Sequence, residues 1–323
     1  MASVSTATVS RALSRPERVS ETTREVVASA IRATGYRVNQ AARNLRMQRA
    51  NAVLVMVPNL GKPFYSEILA GLSEGFADSG YSLLITDTES SPLGEGTLAG
   101  YFADGRIDGA ISLDGSLPRT ALEECKTQRV DGRIVFLCEW IDGSAFPAIV
   151  VDNAEGARLA VRHLYGLGHR RMAHVEGPAG NVLTLSRRAG MEEECAALGL
   201  PAPIVFPGDF SLESGHAAAR SILAMQDRPS AVFCSADTAA FGVIAGLREG
   251  GLGVPRDISV VGFDDIEMAA FYDPALTTIR QDRRKLGRRA AEVLVARLNG
   301  RDAPGEVLAV TLVDRGTTAE VRS

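Results

Sequence analysis

Two doubly wound α/β lobes with parallel sheets, preceded by a small all-α head, are the fold class this sequence predicts. Three observations predict it. The first 35 residues carry only helical periodicity, interrupted at Pro16 and Gly35. From Asn51 onward, apolar runs of strand length alternate with helical patterns to the end of the chain, the signature of βαβ units with both sheet faces buried. The third is charge: residues 1–50 hold nine Arg, no Lys and three Glu, whereas the remainder holds 26 basic and 36 acidic residues. A basic head on an acidic body points to an anionic partner for the head alone.

In the head, VSTATVSRAL at 4–13 reads as a short helix. Ser5 is placed to accept from the free N–H groups of the first turn, and Val4 and Val9 have the spacing of a hydrophobic staple. Thr6 and Ala7 are then exposed at the N-terminal tip, with Arg11 one turn further on the same face. Such a tip fits the major groove of DNA, where an Arg can fork onto guanine. Ser14-Arg15-Pro16-Glu17 makes a turn. Ser20 opens a second helix over 21–34 with Val26, Val27, Ala30 and Ile31 as its apolar stripe, and Gly35 ends it. The following NQAARNLRMQR begins at Asn39 and runs through Leu45 and Arg46. It is too short and too poor in apolar side chains to be helical alone, so it is either a linker or a helix that forms only against a surface.

Strands are expected at 52–58, 81–88, 109–115, 133–139, 148–153, 171–178, 231–236 and 258–264. Ligands of such sheets bind beyond the carboxyl ends of the strands, which makes residues there the candidate site. Other classes are disfavoured. The longest apolar runs fall well short of the ~20 residues a spanning helix needs, and the first residues are too polar for a secretory signal. Cys125, Cys138, Cys195 and Cys234 are scattered without a CxxC pair, as befits buried thiols of a cytoplasmic protein; no metal site is expected. The Gly-rich pieces at 166–170 and 250–255 lack dinucleotide-loop spacing, and neither GxxxxGK[ST] nor GxSxG occurs. His163, His169, His174 and His216 read as structural. Neither an enzyme nor a cofactor is expected.

The ordered motifs VSTATVSRAL, RPERVSETTR, GYRVNQAARNLR, VLVMVPNLGKPFYSEILAG, GHRRMAHVEGP, PGDFSLESG, RPSAVFCSAD, GVPRDISVVGFDD and DPALTTIRQDRRKLG run through essentially the whole chain. Together they resemble the lac repressor (LacI/GalR) family of bacterial transcription regulators, with GDFSLESG, FCSAD and FYDPALTTI nearest to its purine- and cytidine-repressor branch. The resemblance implies a helix-turn-helix DNA-binding head at 1–38 and a hinge helix or linker at 39–50. It also implies a core at 51–323 that dimerises and binds effector, built like the periplasmic sugar-binding proteins. Lobe one would comprise about 51–152 and 282–305, and lobe two about 153–281 and 306–323.

By that resemblance Thr6, Ala7, Arg11, Asn39, Leu45 and Arg46 are DNA-contacting positions, with Leu45 the apolar wedge that kinks a palindromic operator in the minor groove. The effector positions are Phe64, Tyr65, Glu139, Asn181, Leu183, Arg187, Phe210 and Asp264, with Trp140 beside them. Aromatic faces, an Arg and carboxylates suit a sugar or nucleoside. Asp265 is expected to point outward or to cap. Ala236 departs from the Asn of sugar-binding members and Asn181 from the Arg of the purine repressor, so the effector identity stays open. The expected protein is a homodimeric, cytoplasmic, effector-controlled repressor without membrane association. Relatives also carry a first helix ahead of the turn where this chain begins, which implies that the start codon lies upstream. The alternative is an effector sensor of the same fold that has lost specific DNA binding. A transport-type binding protein would share the core, but would need a signal peptide and no basic head.

Overall fold

The computed structural model describes residues 4–14, 16–35, 49–94 and 96–321. The chain divides between Ala50 and Asn51 into two compact units.

In the first unit, α1 (Thr6–Ser14) is followed by a 3₁₀ turn at Pro16–Arg18 and by α2 (Glu21–Thr34). Ser5 caps α1 as its sequence position demands, its Oγ accepting from Thr8 N at 3.1 Å. Ser20 precedes α2 without capping it; its hydroxyl pairs instead with Thr23 Oγ1 at 2.8 Å. Gly35, at φ +63°, closes α2 in the left-handed conformation. Of the anticipated stripe, Val27 is buried and Val26 is exposed.

The second unit holds two six-stranded sheets of the same winding. Lobe one orders its strands β11-β5-β4-β3-β1-β2, and lobe two β12-β10-β9-β8-β6-β7. In lobe one these are β1 (Ala52–Val57), β2 (Ser82–Asp87), β3 (Gly109–Ser112), β4 (Ile134–Leu137), β5 (Ala148–Val151) and β11 (Glu306–Leu308). In lobe two they are β6 (Met172–Val175), β7 (Ile204–Phe206), β8 (Ala231–Cys234), β9 (Ser259–Asp264), β10 (Thr277–Arg280) and β12 (Thr311–Val313). The central strands β1, β3, β4, β6, β8 and β9 are buried along their whole length, which is why they read as unbroken apolar runs. All pairings are parallel except β10 with β12, an antiparallel edge.

Helices of lobe one are α3 (Phe64–Phe76), α4 (Thr97–Ala103), α5 (Arg119–Thr127) and α11 (Arg283–Leu298). Those of lobe two are α6 (Asn153–Gly166), α7 (Val182–Ala197), α8 (Leu212–Leu223), α9 (Asp237–Glu249) and α10 (Glu267–Phe271). The chain passes between lobes three times: from β5 into α6, from β10 into α11, and from β11 into β12. The third passage corrects the expected boundary at 305/306. Glu306–Leu308 pairs with Ile149–Val151 in lobe one, and the return to lobe two follows Leu308. EVLAVTLV carries no Gly or Pro to mark that break.

All four cysteines are free and buried. Among the described residues, no helix is long and apolar enough to cross a membrane, and no group of His, Cys, Asp and Glu could hold a metal.

Candidate ligand-binding cleft

A cavity of about 60 Å³ opens where the carboxyl ends of the two sheets face each other. On lobe one it is lined by Lys62, Pro63, Phe64, Tyr65 and Glu139. On lobe two it is lined by Leu183, Arg187, Phe210, Ala236, Thr238, Asp264 and Ile266. All but Arg187, in the second turn of α7, follow a strand end or open the next helix, the place where doubly wound sheets leave a crevice.

Arg187 is the fixed point. It lies on α7, 3% exposed, with its guanidinium 3.8 Å from the Phe263 ring centroid. Its Nε donates to Asn153 Oδ1 at 2.9 Å, and its Nη1 donates to the Ser235 carbonyl. Burial lowers its pKa, an effect opposed by the carboxylates of Asp264 and Glu139. Asp264 ends β9 and accepts from Gln281 Nε2 at 2.7 Å. Burial pushes its carboxyl up to about 6 although Arg187 and Arg283 pull the other way. Behind it, Asp237 accepts from Thr278 Oγ1 and from Ile266 N, and burial raises its pKa as well.

Glu139, just past β4, is buried and its pKa is raised by desolvation. Its Oε2 accepts from Gly115 N at 2.8 Å, and its Oε1 accepts from Asn181 Nδ2 at 2.9 Å. The second bond joins the lobes. Asn181 therefore stands behind Glu139 rather than in the cavity wall, and its Oδ1 caps α7 at Leu183 N. Phe64 and Tyr65 meet edge to face at the start of α3, with ring centroids 5.1 Å apart. The Tyr65 phenol is held neutral by burial.

Seven of the eight anticipated effector residues thus line one cavity, and the eighth is bonded to it. Trp140 does not line it; its indole donates to Asp142 at 2.7 Å. Asp265 is neither outward-facing nor a cap. It accepts from Arg280 at 2.6 Å and from Arg315 at 2.7 Å, and its carbonyl accepts from Arg283. A left-handed φ of +53° turns it away from the cavity into that cluster. Lys62, Pro63, Thr238 and Ile266 line the cavity without being anticipated. All four lie within six residues of the ends of β1, β8 and β9, which is the signal that points to them.

The histidines have structural partners. His174 is fully buried in β6, bonded to Ser235 Oγ at 2.8 Å and stacked on Phe233; burial holds its pKa down to about 3. His169 bridges Ser230 and Ser259 at 2.9 and 3.0 Å. His163 meets Thr318, and His216 meets Glu249.

In the head, Ala7 and Arg11 are exposed on α1. The Thr6 side chain lies outside the described residues, as do Asn39, Leu45 and Arg46 with most of the anticipated hinge.

Comparison with known proteins agrees with this geometry. The family model for bacterial regulatory proteins of the lacI family matches residues 1–39, and that for a periplasmic binding protein-like domain matches 161–318. The chain is 35% identical over 322 residues to the HTH-type transcriptional repressor CytR of Escherichia coli strain K12, which covers 98% of this chain and 94% of that relative. The lac repressor dimer bound to operator and the anti-inducer ONPF is 30% identical with a TM-score of 0.88, covering 98% of this chain and 96% of the other. A LacI family transcriptional regulator of Enterococcus faecium with bound ribose is 27% identical with a TM-score of 0.75, covering 84% of this chain and all of that one.

Proposed function

Because the chain belongs to the lacI family of bacterial transcriptional regulators, we propose that it is a homodimeric, cytoplasmic repressor of palindromic operators, controlled by a neutral pentose-containing effector held between its lobes. The observation that carries the effector class is the cavity wall. Phe64, Tyr65 and Phe210 supply faces for a ring, while Arg187, Asp264 and Glu139 supply a donor and acceptors for hydroxyls. Ribose in the related Enterococcus faecium regulator supports the same class.

No catalytic role is assigned. Arg187 Nε and Nη1 are held by Asn153 and Ser235, with Nη2 outside those bonds, and His174 is buried neutral beside Ser235. In the head, Thr6, Ala7 and Arg11 would read bases, and residues 39–50 with Asn39, Leu45 and Arg46 would form a hinge that orders on the operator. Lobe one would take 51–152 with 282–308, and lobe two 153–281 with 309–323.

Calorimetry on the full chain with nucleosides, purines and simple sugars tests the effector class. Saturable binding of a nucleoside or pentose is expected. Response only to an acidic metabolite would overturn it.

A further inference from the structure

The Phe210 ring rests on a place where a side chain is missing. A Cβ at Gly177 would lie 2.1 Å from ring atoms Cε1 and Cζ, and 2.6 Å from Thr184 Oγ1. Thr184 is 3% exposed, and its hydroxyl has no hydrogen-bond partner among the described residues. It stands three residues before Arg187, so it shares a face of α7 with that side chain of the cavity wall. The Phe210 ring, which lines the cavity, and Thr184 Oγ1 both border the space a Cβ at Gly177 would take.

That ring packs against the lobe-two core but is not enclosed by it. Phe210 is half-buried, with Lys62 Nζ 5.9 Å and the Arg187 guanidinium 5.8 Å from its centroid. Its backbone, by contrast, is fixed in the left-handed region at φ +65°, with its carbonyl accepting from Thr238 Oγ1. A χ1 change can therefore move the ring without moving the loop. A buried hydroxyl left unpaired is costly, whereas a partner that arrives with the ligand recovers the loss.

We infer that Thr184 Oγ1 is an effector-binding group masked by Phe210, and that a ring-bearing effector displaces Phe210 from Gly177 to place an acceptor atom on it. The acceptor is a hydroxyl oxygen of a pentose or a carbonyl oxygen or ring nitrogen of a nucleobase. This rests on the cleft being the effector site.

The test compares wild type with Thr184→Val, Thr184→Ala and Thr184→Ser by calorimetry, using D-ribose, adenosine and cytidine as probes. Thr184→Val and Thr184→Ala should weaken binding about five- to tenfold, and Thr184→Ser should stay within about twofold of wild type. Ligand-free Thr184→Val should melt no lower than wild type, since it loses only an unpaired hydroxyl. Weakening confined to the two nucleosides places the acceptor on the base; weakening of ribose as well places it on the sugar. Equal affinity of Thr184→Val, Thr184→Ala and wild type overturns the inference and leaves the effector class standing. A wild type that binds none of the three probes overturns both.

Discussion

Arg187 and Asp264 set the electrostatics of the cleft, and their effects are separable by pH. Asp264 is held near 6 against a usual value of 3.8, so the folded chain binds this proton more tightly than the unfolded chain does. Its burial costs nothing below about pH 4, where both states are protonated. Stability is then lost as pH rises through 6 and the native state must carry a buried carboxylate. Asp264→Asn removes that titration. The melting temperature of the variant minus that of wild type should therefore increase from pH 4 to pH 7.5, by an amount equivalent to about 1–3 kcal/mol. A difference independent of pH would show that Asp264 ionises normally. His174, held down near 3, is common to both chains and cancels. The strand-end rule located Asp264 and Arg187 from sequence, but it could not rank neighbours. Asp265 is the sequence neighbour of Asp264, and its left-handed backbone and its contacts with Arg280, Arg283 and Arg315 take it out of the cavity.

At the level of elements, α3 and α11 pack backbone against backbone through two glycines. A Cβ on Gly287 would lie 2.1 Å from the Ile68 carbonyl oxygen, and one on Gly71 would lie 2.1 Å from that of Arg284. Lobe two repeats the device between α8 and α9, where Gly215 faces the Ala239 carbonyl and Gly242 faces that of Leu212. Gly287→Ala should therefore destabilise the chain by about 1–3 kcal/mol in denaturant unfolding, despite the roughly 1 kcal/mol that Ala contributes to helix propensity. An unchanged midpoint would mean the helices separate without cost. These contacts are invisible in the sequence, where helical glycines merely look unfavourable. The interior strands were legible because burial on both faces leaves long apolar runs. β7, β11 and β12 were not: each is three residues long and partly exposed at a sheet edge. β10, TTIR, has buried threonines that bond to neighbours instead of reading as apolar.

For the whole molecule, a basic head on an acidic core gives operator binding a distinct salt response. The logarithm of operator affinity should fall linearly with the logarithm of salt concentration, because Arg–phosphate contacts release counterions. Effector affinity, which depends on buried groups, should change far less over the same range. Leu45→Ala, in the proposed hinge, should weaken specific operator binding at least tenfold in a mobility-shift assay while effector affinity stays unchanged. Equal operator affinity would remove Leu45 from the interface. The three passages of the chain between lobes also constrain biosynthesis. Neither sheet can be finished from a continuous stretch of polypeptide, since β11 completes one and β12 the other only at residues 306–313. Both halves thus leave the ribosome with an unpaired margin and close almost together. A chain stopped between Leu298 and Glu306 would leave both sheets without their last strand.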